Sequence, residues 1–148
     1  RQSVAITLEN CYDDWCMSIL AKELNKEEDY QYYLKRALNY QNVFDTATGF
    51  MRPKTADGRW IEPFDPIWSG GQGRREFYTE NNGWNYTWYV PHDVEGLIGL
   101  MGGREKFTDK LQTMFETNVP LYQKYDFLKQ YPDMTGWIGM YSHGNEIT

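Results

Sequence analysis

Glu80 has the surroundings that point most directly to chemistry. It stands in Tyr78-Thr-Glu-Asn-Asn-Gly-Trp-Asn-Tyr-Thr-Trp-Tyr89, a carboxylic acid among aromatic rings and amides. Desolvation by Trp and Tyr raises the pKa of a carboxyl, as a general acid working near neutral pH requires. A second acidic group lies upstream. Glu9 and Asp13 are one helical turn apart, Asp14 follows, and Tyr12 and Trp15 flank them. Like charges at that spacing weaken a helix by roughly 0.2–0.5 kcal/mol. The cluster is therefore either a solvated acidic face or a set of carboxylates that grip ligand hydroxyls or a cation.

Two segments, His92-Asp-Val-Glu95 and His143-Gly-Asn-Glu146, each pair a His with a Glu three residues on. Zinc usually needs more nitrogen or sulfur ligands, and the chain has only 2 His. Oxygen donors such as Asn145 and Glu146 suit calcium better. For His92 the simpler reading is packing at a helix N-terminus. Gly70-Gly-Gln-Gly-Arg-Arg75 has the glycines of a phosphate loop but lacks the Gly-Lys-Ser/Thr ending. No Gly-x-Ser-x-Gly elbow is present. Cys11 and Cys16 sit five apart in a helical pattern, on different faces, which argues against a mutual disulfide or a metal pair. The sequon Asn85-Tyr86-Thr87 is too short a pattern to carry weight.

Composition narrows the classes further. A net charge of −6 argues against nucleic acid, whose phosphates call for a Lys/Arg surplus. No apolar run approaches the ~18 residues of a membrane span. Aromatic residues make up 17%, with many in polar, glycine-broken stretches, among them Trp60, Trp68, Trp84 and Trp88. Core packing accounts for part of these. Aromatic planes beside Asp, Glu and Asn in loops also fit a carbohydrate cleft, where rings stack on the C–H faces of sugars and polar groups bond the hydroxyls.

The elements that must position these groups are mainly helices. Residues 4–24 read as a helix, with Val4, Leu8, Tyr12, Trp15 and Ile19 at three- and four-residue steps. Asn25 and Glu28 suggest a capping box for a second helix with the stripe Tyr30, Tyr33, Leu34, Ala37, Gln41 and Phe44. The short link predicts an antiparallel hairpin. Residues 45–88 carry Gly and Pro too often for a long helix and read as long, aromatic-rich loops with room for short strands. Pro91 opens a third helix with Asp93 in its first turn and Val94, Leu97, Ile98 and Met101 inward, ended by Gly102-Gly103. A fourth carries Phe107, Leu111, Met114 and Phe115. Residues 119–139 are ambiguous, with a further helix expected near Ile138. The expected class is all-α: a partial (α/α)6 toroid of helical hairpins, the first and third helices inner, the second and fourth outer.

Taken in order, these segments resemble glycoside hydrolase family 92, the calcium-dependent exo-acting α-mannosidases. The matching stretches are Thr7-Leu-Glu-Asn-Cys-Tyr-Asp-Asp-Trp15, Thr48-Gly-Phe-Met-Arg-Pro-Lys54, Glu62-Pro-Phe-Asp65, the segment from Tyr78 to Trp88, Val90-Pro-His-Asp93, Leu100-Met-Gly-Gly103 and Ser142-His-Gly-Asn-Glu146. The resemblance implies an (α/α)6 catalytic barrel beside a β-sandwich and hydrolysis of terminal α-mannosides with inversion. It implies Glu80 as general acid, and Asp13, Asp14, Arg52, Trp84, Tyr86, His143 and Asn145 along the sugar pocket. It implies Glu146 as a ligand of calcium, Ca2+, which would bind two mannose hydroxyls. The family's general base is an aspartate in a later Gly-Asn-x-Asp-x-Gly-Gln segment that this sequence does not contain.

Residues 1–148 are accordingly expected to be a fragment of the catalytic domain, without the β-sandwich and the remaining barrel helices. The sequence departs from the family at Asn81-Asn-Gly-Trp-Asn85, where Gly-Asn-Ala-Trp-Gln is usual, and at Ile147-Thr148, where Pro-Ser is usual. Mannose-containing glycans are the implied partners, export from the cytoplasm the implied location, and self-association of a cut barrel a further expectation. Two other readings are a glycan-binding fragment without turnover, and another α/α-toroid sugar enzyme of the trehalase kind.

Overall fold

The computed structural model describes residues 2–67, 77–79, 81–120, 129–133 and 135–137. Helix α1 spans Ser3–Glu23 and helix α2 spans Glu27–Ala37. They form the expected antiparallel hairpin: Asp14 meets Arg36, while Lys22 lies over the Tyr30 ring at 5.6 Å. The buried face of α1 runs through Val4, Leu8, Cys11, Asp14, Ser18 and Ala21. This departs from the expected stripe beyond Leu8, since Tyr12 and Trp15 are half-exposed and Ile19 is exposed. Small side chains at 11, 18 and 21 let α2 approach closely. The larger rings turn aside, stacking on each other at 6.0 Å and reaching the His92 ring at 6.3 and 6.4 Å.

Asn25 does not cap α2. It sits in the left-handed region at φ 54, its N–H donates to Lys22 O, and the Lys26 N–H donates to Ala21 O. These are the two bonds of a Schellman ending, and Asn is among the few residues that tolerate that conformation. Helix α2 has no side-chain cap. Glu27, Glu28 and Asp29 in its first turn and Lys35 and Arg36 in its last complement the helix dipole instead. It ends at Ala37, and the chain tightens into a 3-10 helix over Leu38–Val43. Tyr40 is buried there and Gln41 faces solvent, so the expected stripe does not run on to Phe44 as one helix.

The loop region contains a short antiparallel ladder, β1 (Phe44–Asp45) on β2 (Phe50–Met51), with Phe44 opposite Met51. It also contains a short helix, α3 (Gly83–Tyr86), where no helix is expected. Asn82 caps α3 by accepting from Asn85 N at 3.1 Å. The Thr87 hydroxyl donates to Gly83 O at 2.6 Å and accepts from Met51 N at 3.1 Å, which ties α3 to β2. Helix α4 spans Val94–Leu100 and α5 spans Arg104–Glu116. Asp93 is the cap of α4, accepting from Gly96 N at 3.0 Å, so Pro91 and His92 lie in the turn before it. Strands β3 (Asn118–Pro120) and β4 (Thr135–Trp137) pair antiparallel in the stretch that sequence left open. The described residues are thus mostly helical with two small ladders, and the helix expected near Ile138 lies outside them.

The main core joins Val4 and Leu8 of α1 to Tyr40, Met51, Tyr78, Val90 and Leu97. A smaller cluster of Phe50, Trp84 and Met114 adjoins it, with Phe64 and Trp88 packed against both. The N-terminus of α1 is tied to the far end of the loop region: Val4 N and Ala5 N both donate to Phe77 O.

Candidate functional site

A cavity of about 540 Å³ opens between α1, the segment around Tyr78, α3 and α5. Thr79 and Asn81, the residues on either side of Glu80, both line it. Glu9 enters from α1, Tyr86 from α3, and Tyr89 from the turn that follows. Leu111, Met114 and Phe115 supply an apolar wall from α5. Trp88 closes the corner, its indole N–H 3.0 Å from Met114 Sδ and its ring edge-on to Phe107 at 5.2 Å. One side of the cavity can therefore hydrogen-bond, and the other can pack an apolar surface.

The polar side is built around Tyr86. Its Oη lies 3.2 Å from Glu9 Oε1 and 3.4 Å from Thr79 O. The ring stacks on Tyr78 at 5.7 Å, and Tyr89 lies at 6.2 Å. Burial is the main cause that pushes the Tyr86 hydroxyl up to about 12. Tyr89 is also raised, first by burial and then by the negative charges of Glu9 and Asp13. Both phenols thus remain protonated donors at neutral pH.

The residues expected along a sugar pocket are distributed unevenly. Tyr86 lines the cavity. Asp13 is exposed on α1, one turn beyond Glu9 and within electrostatic reach of Tyr89. Asp14 turns the other way: it is 8% exposed and ion-paired to Arg36 at 3.0 Å. Arg52 is 4% exposed, held by Asp45 at 2.8 Å and Glu62 at 2.6 Å, with its guanidinium 4.4 Å from the Phe64 ring centre. Trp84 packs edge-on against Phe50 at 4.8 Å, in the smaller core cluster. Glu80, His143, Asn145 and Glu146 lie outside the described residues. Among the described residues no group of three or more His, Cys, Asp and Glu is gathered as a metal site. His92 packs as the simpler reading expected, with Nε2 on the Ala37 carbonyl at 2.9 Å and the rings of Tyr12, Trp15 and Tyr40 around it. Among the described residues no helix is long and apolar enough to cross a membrane.

Glu9 is a carboxylate of the cavity wall to which the resemblance assigned no role. Its sequence signal was the one-turn spacing to Asp13. That spacing cannot tell a solvated face from a cavity wall without the position of Tyr86.

Comparison with known proteins fits this geometry. Residues 1–148 match the glycosyl hydrolase family 92 catalytic domain. The chain is 42% identical to a family GH92 α-mannosidase of Bacteroides thetaiotaomicron, over 80% of this chain and 15% of that one, with a TM-score of 0.73. The same enzyme in complex with mannoimidazole aligns with a TM-score of 0.75, over 80% of this chain and 16% of that one. A family GH92 inverting mannosidase of B. thetaiotaomicron is 38% identical, over 84% of this chain and 16% of that one, with a TM-score of 0.70. An uncharacterized secreted glycosidase of Arthroderma benhamiae is 33% identical over 140 residues, 80% of this chain and 17% of the relative. The chain thus spans less than a fifth of the length of these relatives. It belongs to glycosyl hydrolase family 92, matching the family's catalytic domain.

Proposed function

We propose that this chain is part of the catalytic domain of an exo-acting α-mannosidase that hydrolyses terminal α-mannosidic bonds with inversion of configuration. The observation that carries the reading is the cavity lined by both neighbours of Glu80, in a chain similar to a GH92 α-mannosidase that has been captured with mannoimidazole. Glu80 donates its proton to the glycosidic oxygen as the C1–O bond breaks. A water attacks C1 from the opposite face and gives its proton to the aspartate base, which lies outside this sequence. In an inverting pair the two carboxyls stand ~6.5–9.5 Å apart to leave room for that water.

Asp13, Asp14, Arg52, Trp84, Tyr86, His143 and Asn145 are assigned to the sugar pocket, with Glu146 as a calcium ligand. When bound, calcium would hold two mannose hydroxyls and favour a distorted ring. Asp14, Arg52 and Trp84 are held in packing among the described residues, so their part in the pocket is to shape it unless those contacts open. The helical hairpins are assigned to part of an (α/α)6 ring. Ile6, Met17 and Leu20 of α1 and Leu24 just past its end are exposed apolar residues, which favours self-association of the isolated chain. Similarity to a secreted glycosidase supports an exported location.

The test is mannose release from a panel of α-mannobiosides by the full-length protein, before and after chelation. Release that stops on chelation and returns with added calcium supports the reading. Binding of mannose without any release would favour the glycan-binding alternative.

A further inference from the structure

We infer that Lys110 is a positioning residue for the cavity: its ammonium, seated on the rings of Phe50 and Trp84, holds the apolar wall on α5 against the polar wall on α3. This rests on the reading of that cavity as the place where the mannoside binds.

Three observations carry it. First, Lys110 Nζ lies 3.3 Å from the centre of the Phe50 ring and 4.5 Å from that of Trp84. Both distances fall inside the ~6 Å within which a cation is drawn to a ring face. Among the described residues no carboxylate is ion-paired to Lys110, so the rings are its electrostatic partners. Second, the two rings belong to other elements. Phe50 is on β2 and Trp84 on α3, and they meet edge-on at 4.8 Å. The ammonium thus joins the helix that carries Leu111, Met114 and Phe115 to the helix that carries Asn85 and Tyr86. Third, Met114, one turn after Lys110, packs in the same cluster as both rings and also lines the cavity. Lys110 itself lines a separate cavity of about 370 Å³, beside Gly49 of the β1–β2 turn, so it acts on the sugar only through α5.

The other charges near the ammonium leave this contact to the rings. On α5, Lys106 and Asp109 line the same separate cavity, and Lys106 folds back towards Gly102. On the β1–β2 ladder, Asp45 is taken by Arg52. On α3 the titratable group is Tyr86, whose hydroxyl faces Glu9. Burial pushes the Lys110 amine down to about 8. The attraction is therefore present below that pH and lost as pH rises through it, because a neutral amine offers the ring faces no charge. An arginine at this position stays charged throughout. An apolar wall packs against the sugar equally before and during bond breaking, so loosening it weakens binding and leaves the chemical step alone.

The experiment uses the full-length protein with Lys110→Met, Lys110→Arg and, as benchmark, Leu111→Ala, which removes part of the wall itself. KM and kcat for an α-mannobioside are measured on both sides of about pH 8. At neutral pH Lys110→Met is expected to raise KM about fivefold with kcat within about twofold, and Lys110→Arg to restore most of the affinity. In the unaltered protein KM should rise by a similar factor as pH passes about 8. In Lys110→Arg it should stay low and level over that range, and in Lys110→Met high and level.

An unchanged KM in Lys110→Met, a loss that Lys110→Arg does not repair, or the same alkaline rise of KM in all three proteins would each overturn the inference. So would a lower Tm in Lys110→Met with KM unmoved, since the lysine would then be structural only. If Lys110→Met does not fold, the pH profiles of the unaltered protein and Lys110→Arg decide, and parallel rises overturn the inference. If Leu111→Ala also leaves KM unchanged, the cavity is not the sugar site and that reading fails. If Leu111→Ala raises KM and Lys110→Met does not, the positioning role alone fails. Should the unaltered protein release no mannose, the hydrolase reading fails, and Kd for mannose takes the place of KM with the same outcomes deciding.

Discussion

Arg52 Nη1 donates to Asp45 Oδ2 at 2.8 Å, and the two side chains are only 5% and 6% exposed. Arg52 also donates to Ile61 O and Glu62, so one guanidinium joins the β1–β2 ladder to the loop that follows it. Burial pushes the Asp45 carboxyl up, but hydrogen bonds from Arg52, the Ala47 N–H and the Thr48 hydroxyl outweigh it, and the carboxyl sits below its ordinary range. A depressed folded pKa means stability that is present above the unfolded value of about 3.9 and lost as pH falls below it. Arg52→Ala should cost about 3–5 kcal/mol, because it leaves Asp45 buried without its cation. Denaturant unfolding at pH 7 measures that cost. Asp45→Asn should flatten the fall in stability below about pH 4; an unchanged acid limb would argue against the pairing.

Gly96 makes the opposite kind of prediction, where local propensity and tertiary contact disagree. In a helix interior Gly→Ala is favourable by about 1 kcal/mol. At Gly96 an added Cβ would collide with Asp93 Oδ2 and Tyr40 Oη. Those two atoms form a 2.7 Å hydrogen bond, and the same carboxylate caps α4. Gly96→Ala should therefore destabilise the protein by at least about 1 kcal/mol, the usual worth of a lost cap. Thermal melting reads the sign. A rise in Tm would mean that Asp93 and Tyr40 can move aside without loss.

The same region shows what could be read from sequence and what could not. The helical hairpin followed from apolar spacing and a short link, and α4 and α5 followed from their apolar stripes on either side of Gly102-Gly103, although the start expected at Pro91 moves to the Asp93 cap. Periodicity could not show that α1 buries Cys11, Ser18 and Ala21, because close approach by α2 selects small residues over large ones. Asn25 carried two meanings, a cap for the next helix or a left-handed ending for the last, and only the backbone at φ 54 separates them. Helix α3 was hidden because it is one turn long and depends on the Asn82 cap and on Thr87 meeting Met51. For the candidate site, residue types and order pointed to the segment around Glu80. Glu9 looked like surface because its partner, Tyr86, is 77 positions away. Conversely, Asp14 and Arg52 looked free for a ligand because nothing in their local sequence announces Arg36, Asp45 or Glu62 as partners.

The acid assignment makes a prediction that depends on the leaving group. In the full-length protein Glu80→Gln keeps the size of the side chain and removes the proton that can be donated. Hydrolysis of an unactivated mannoside needs that proton as the C1–O bond breaks, and general acid catalysis typically supplies about 10²–10⁴-fold. Turnover of an α-mannobioside should fall by that order. A dinitrophenyl mannoside departs as a stable anion, so its turnover should fall far less. The two kcat ratios, measured side by side, give the result directly. A large gap between substrates is the signature of a lost acid, because a pocket that had merely lost its shape would slow both. Equal slowing would move the proton-donor role away from Glu80, and with it the reason for reading Thr79 and Asn81 as the wall of an active site.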